Sequence, residues 1–145
     1  MKSSKQEVII NHPASKLYEI VLDIEKYPEF IPWCTASRII EKSENKITAD
    51  LMIRYKSYNE KFRSFVYYNK NELNIEVQYT EGAIKNLTTN WKFKYLNEHK
   101  SLLIFNLDFK LKIYPLQKII EAFYKTIENK MIFAFEERAE FLLKK

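Results

Sequence analysis

Between Thr35 and Ile113 apolar residues recur at every second position, and short polar clusters interrupt the pattern. The alternation is clearest in Ile47/Ala49/Leu51/Ile53, Leu73/Ile75/Val77/Tyr79 and Leu87/Thr89/Trp91/Phe93/Tyr95. Successive strand residues point to opposite faces, so each run presents one apolar and one polar side, as in a sheet covered on one face. Ala36 to Lys42, Glu60 to Tyr68 and Leu102 to Ile113 complete six strands. The turn signals between them are Ser43-Glu44-Asn45, Ser57-Tyr58-Asn59, Asn69-Lys70-Asn71 and Asn97-Glu98-His99. Connections this short join neighbouring antiparallel strands, which predicts a meander.

The flanking segments read differently. Ser4 to Ile10 predicts a first strand, and Asn11-His12-Pro13 marks a helix start. Ala14, Leu17, Tyr18, Val21 and Leu22 then follow at helical spacing, to about Asp23. The aromatic stretch Tyr27 to Cys34 holds Pro28 and Pro32, which break regular structure and predict a helical turn and a loop. Pro115 to Leu143 has no internal Gly or Pro and carries Leu116, Ile119, Ile120, Phe123, Ile127, Met131, Ala134, Phe135 and Leu142 at helical spacing. At ~1.5 Å per residue such a helix reaches roughly 40 Å, enough to cross a sheet. The sum is one α+β domain, 1–145, in which a curved antiparallel sheet of about seven strands grips a long C-terminal helix, with a short helical insert after the first strand.

Composition excludes several chemistries. The single glycine, Gly82, rules out the P-loop and the dinucleotide fingerprint. One cysteine, Cys34, and two distant histidines, His12 and His99, supply neither a disulfide nor a zinc motif, so no metal site and no secreted disulfide scaffold are expected. Cys34 has no cation beside it in sequence and reads as a packed thiol; His12 reads as part of the helix entry and His99 as an exposed turn residue. Asp108 shares the polar side of its strand with Asn106 and Lys110, opposite Leu107 and Phe109, and no partner carboxylate is positioned by sequence. No catalytic residue is therefore assigned.

The net charge is +5, but 20 of the 24 basic residues are Lys, scattered along the chain. Arg is the residue of bidentate phosphate and guanine contacts, so this excess reads first as a solvated surface, without sequence-specific nucleic-acid binding. No apolar stretch approaches the ~18 residues of a membrane span, and the N-terminus lacks a signal-peptide core, so a cytoplasmic protein with at most peripheral contact at the inner membrane is expected. Ten Phe, ten Tyr and two Trp stand out. Periodicity alone leaves open whether they fill a solid core or line an apolar ligand cavity between sheet and helix.

The run Asp23-Ile24-Glu25-Lys26-Tyr27-Pro28-Glu29-Phe30-Ile31-Pro32-Trp33-Cys34 resembles the D-hydrophobic-x-x-Y-P-x-F-[LI]-P-W-C signature of the coenzyme Q-binding protein family, a branch of the START-like, polyketide-cyclase-like superfamily. Gly82-Ala83-Ile84-Lys85-Asn86-Leu87 with Trp91-Lys92-Phe93 is similar to that family's G-P-F-[KR]-x-L-x-x-x-W-x-F, with Ala83 and Ile84 replacing Pro and Phe. Ala134-Phe135-Glu136-Glu137-Arg138-Ala139 looks like its A-F-x-x-R-A, and Leu107-Asp108-Phe109 like its F-E-F strand.

The resemblance implies a helix-grip fold with an apolar cavity and two competing functions. One is non-catalytic binding of an isoprenoid quinone (ubiquinone) in support of respiration or quinone synthesis, with no further cofactor. The other is a ribosome-association toxin acting on the large ribosomal subunit. For the quinone, Tyr27, Phe30, Pro32 and Trp33 are expected at the cavity mouth, Trp91 and Phe93 on the sheet wall, and Phe123, Ile127 and Met131 on the helix wall. Each buried tail CH₂ is worth roughly 0.8 kcal/mol, and each lysine near an anionic surface about 1 kcal/mol. An aromatase or cyclase enzyme ranks last, since no acid/base set shows itself.

Overall fold

The computed structural model describes residues 2–55, 58–81, 84–111 and 114–143, without the side chains of 2, 55, 58, 81, 84–86, 111, 114–124 and 127. Strand β1 (Lys2–Ile10) is followed by helix α1 (Ala14–Leu22) and a 3-10 helix (Ile24–Glu29). Then come β2 (Cys34–Lys42), β3 (Lys46–Tyr55), β4 (Tyr58–Asn69), β5 (Asn74–Glu81), β6 (Ile84–Asn97) and β7 (Lys100–Leu111), and the chain closes with α2 (Tyr114–Leu143). All strands pair antiparallel in the order β1-β7-β6-β5-β4-β3-β2: the expected meander, with β1 returning to pair with β7.

Register shows why this sheet has one apolar face. Residues paired across strands share a face, so Gln6, Phe105, Trp91, Ile75 and Tyr68 form one row. Ser4, Leu107, Thr89, Val77, Val66 and Ile47 form the next. Phe109, Leu87, Tyr79, Ser64, Ala49 and Ile39 form a third. Most of these side chains are buried, and Phe105 and Ile75 are fully so. The opposite face carries Asp108, which accepts a hydrogen bond from the Ser3 hydroxyl, as the alternation predicts.

Helix α2 turns Glu128, Ile132, Phe135 and Ala139 inward at three- and four-residue spacing. Glu128 was not anticipated. It is 0% exposed, and its carboxylate accepts from Ser4 Oγ at 2.6 Å and Gln6 Nε2 at 3.0 Å, both on the inner face of β1. These bonds offset the cost of burying a carboxylate and tie the helix to the edge strand.

One local expectation fails. Leu73 does not belong to β5; it adopts φ 50 in the β4–β5 turn. A left-handed leucine is uncommon. It is held there because its half-buried side chain packs against the core and its carbonyl accepts from Phe93 N–H at 3.0 Å. The end of the expected last strand, 112–113, lies outside the described residues.

Phe105 sits at the centre of the inner face, with its ring 4.7 Å from that of Trp91. Phe105→Ala is expected to lower the unfolding free energy by about 3–5 kcal/mol, the range for a large core truncation. Urea denaturation followed by tryptophan fluorescence measures it.

Candidate functional site

The site is built on the segment between α1 and β2. Pro28 lies inside the 3-10 helix, and two amides turn back onto Tyr27 O, from Phe30 N–H at 3.1 Å and Ile31 N–H at 2.8 Å. Three bonds fix this segment to the sheet: Ser37 Oγ donates to Ile24 O at 2.8 Å, Ile39 N–H to Glu25 Oε2 at 2.9 Å, and Arg54 N–H to Trp33 O at 2.8 Å. The Tyr27 hydroxyl donates to Val21 O at the end of α1.

Held this way, the aromatic residues converge on α2. Phe135 meets Phe30 at 5.2 Å, Tyr27 at 5.5 Å and Trp91 at 5.0 Å between centroids, each edge to face. Tyr27 and Phe30 meet at 5.9 Å. Such pairs contribute roughly 0.5–1.5 kcal/mol each beyond area burial. Outside this cluster Arg138 donates from Nη2 to Glu29 Oε1 at 2.9 Å and lies 5.0 Å from the Phe30 ring centroid. That hydrogen bond, chiefly, holds the Glu29 carboxyl below its usual value.

Tyr27, Phe30 and Trp33 are half-buried against the core, Pro32 is exposed, Trp91 and Phe93 are buried on the inner face, and Met131 is half-buried on α2. The side chains of Phe123 and Ile127 lie outside the described residues, as do Gly82 and Ala83 of the second motif. Beside Trp91, Phe93 and Phe135 the packing leaves a gap of about 10 Å³ lined by Leu17, Val21, Leu103 and Ile132. It is apolar and holds at most one water, so this end of the interior is packed core.

Apart from the Glu128 carboxylate, the titratable groups near the aromatic cluster are kept neutral. Burial pushes the Tyr79 phenol up to about 12, with the Thr89 hydroxyl opposing the rise, and drives Tyr27 well above its usual value, with Tyr79 and Cys34 adding to the effect. Burial likewise raises the Cys34 thiol to about 11, against a weak bond to Ala36 O. The buried hydroxyls of Tyr18 and Thr89 find no hydrogen-bond partner among the described residues. Among those residues no group of three or more His, Cys, Asp or Glu is placed to hold a metal ion, and no helix is long and apolar enough to cross a membrane.

Phe135, Glu29 and Arg138, Tyr79 and Thr89 were not singled out as site residues. Phe135 and Arg138 stand in the third motif block and Glu29 in the first, but the Arg138 to Glu29 contact spans 109 positions. Thr89 reads in sequence as one more member of an alternating strand.

Two outcomes follow. A thiol buried and raised to about 11 is expected to react with a disulfide reagent at pH 8 only on unfolding; rapid reaction of the native protein contradicts the packing of Cys34. Because the Glu29 pKa is lowered in the folded state, its latch is complete above the usual 4.5 and is lost as pH falls through the depressed value. Amide exchange at Ile31 should therefore speed up on acidification, beyond its intrinsic pH dependence, in the wild type but not in Glu29→Gln, which starts loosened.

Residues 10–136 match the polyketide cyclase / dehydrase and lipid transport family. The chain is 32% identical, over 99% of its own length and 100% of the relative's, to the ribosome association toxin RatA of Rickettsia prowazekii. It is 26% identical, over 90% of its length and 65% of the relative's, to the mitochondrial coenzyme Q-binding protein COQ10 of Dictyostelium discoideum. The Zhui aromatase/cyclase from Streptomyces sp. R1128 shares the fold at a TM-score of 0.90 with 14% identity, covering 99% of this chain and 96% of that one. The helix-grip architecture, the motif blocks and the match across the domain make this chain a member of the polyketide cyclase / dehydrase and lipid transport family.

Proposed function

We propose that the protein is a non-catalytic binder of an isoprenoid quinone, held between the concave sheet face and α2 and admitted past the Tyr27 to Trp33 segment. The observation that carries this reading is the aromatic seam itself. Tyr27, Phe30 and Trp33 are half-buried outside any strand or α-helix, and Phe30 is closed onto α2 through Phe135 and the Arg138 to Glu29 contact. Exposed Pro32 beside Trp33 gives the segment an apolar tip suited to a lipid surface. The titratable groups at Tyr27, Tyr79 and Cys34 are kept neutral, which suits an uncharged ligand and offers no general base poised near neutral pH. The relative named as a coenzyme Q-binding protein supports the same ligand class. On this reading the protein is cytoplasmic, touches the inner membrane peripherally and needs no other cofactor.

Trp33→Ala is expected to slow transfer of ubiquinone from liposomes to the protein several-fold while leaving the far-ultraviolet circular dichroism unchanged. Unchanged transfer removes this segment as the entrance.

A second reading, association with the large ribosomal subunit, is favoured by the full-length 32% identity to a relative named for ribosome association. The net charge of +5 suits contact with RNA phosphates. Co-sedimentation with large subunits that weakens steeply between roughly 50 and 200 mM salt supports it; no co-sedimentation at low salt removes it.

A further inference from the structure

Thr89 lies on the inner face of β6, between Val77 of β5 and Leu107 of β7, one row from Tyr79 and two residues from Trp91. It is 1% exposed, yet its hydroxyl makes no hydrogen bond among the described residues. An unmet buried hydroxyl is destabilising. Valine has nearly the same shape, suits a strand equally well and carries no such cost. Ser64 and Ser101, also buried, show the usual solution, donating to Ala49 O at 3.2 Å and His12 O at 3.0 Å. Among the described residues Thr89 therefore carries a buried hydroxyl without a hydrogen bond of normal geometry, its one polar contact being with the Tyr79 phenol, whose pKa it lowers.

We propose that Thr89, with the adjacent Tyr79 hydroxyl, is the polar anchor on the concave sheet face, donating hydrogen bonds to a carbonyl oxygen on the head group of an otherwise apolar ligand. The inference rests on the quinone reading above and deepens it by naming where the head group is held. The two hydroxyls stand on neighbouring rows of the concave face, close enough that Thr89 lowers the Tyr79 pKa against the effect of burial. No cation accompanies Thr89 along its inner-face row, whose other members are Ser4, Leu107, Val77, Val66 and Ile47. A neutral acceptor such as a quinone carbonyl meets the donors without bringing an uncompensated charge inside, whereas a carboxylate or phosphate would have to shed its hydration with only neutral partners in return. The rest of the row offers apolar contact for a ring.

The test compares wild type, Thr89→Val and Thr89→Ser in binding decylubiquinone and, as a carbonyl-free control, decylbenzene, both read by isothermal titration calorimetry. Thr89→Val is expected to weaken decylubiquinone about 3- to 10-fold, the worth of one hydrogen bond, and to leave decylbenzene unchanged; Thr89→Ser should stay near wild type. Ligand-free Thr89→Val should melt at or above the wild-type temperature, because the substitution removes an unmet hydroxyl. Equal decylubiquinone affinity in wild type and Thr89→Val overturns the anchor and leaves the quinone reading standing. So does a clear loss of ligand-free stability in Thr89→Val, which would show the hydroxyl to be satisfied inside the protein. A wild type that takes up decylbenzene but not decylubiquinone, or neither, overturns the quinone reading and the anchor with it.

Discussion

The ring of Phe135 is where three parts of the chain meet. It lies edge-on to Trp91 of the sheet, to Tyr27 of the 3-10 helix and to Phe30 just beyond it, all within 5.5 Å between centroids. Phe135 thus joins α2 to the inner face and to the Tyr27 to Trp33 segment, and Arg138, three residues further along α2, reinforces the contact by pairing with Glu29 and covering Phe30. A helix-grip domain needs this kind of fastening, because a single helix crossing a curved sheet has no second layer behind it.

The second fastening is polar. Glu128 is buried between α2 and β1, and its oxygens are met by Ser4 and Gln6. The partners are neutral and strand-borne, so the bond selects a helix position as much as it stabilises one: sliding α2 along the sheet would leave a carboxylate stranded in the interior. Aromatic packing at one point and a carboxylate clamp at another together define how α2 sits. Thr89 is the contrast, a buried hydroxyl with no such partner among the described residues.

The sheet was legible because alternation over Thr35 to Ile113 is a local signal, and strand bounds agree with it to within a few residues. Leu73 was misread because a positive φ is imposed by the turn and by packing and leaves no mark in the side-chain pattern. The aromatics of the site were legible as a dense cluster and as a family-like motif. Their convergence on Phe135 was not, since it depends on contacts between residues about a hundred positions apart. Glu128 was invisible for a different reason: a charged residue in an amphipathic helix reads as surface, and only the polar inner face of β1 makes its burial tolerable.

The central claim is that the space between sheet and helix holds a neutral isoprenoid quinone. The most direct measurement is organic extraction of the protein purified from a quinone-containing host, with the extract analysed by mass and by redox-sensitive ultraviolet absorption. The account predicts an isoprenoid quinone approaching one equivalent per chain. An extract without quinone, together with no uptake of added ubiquinone, would contradict it.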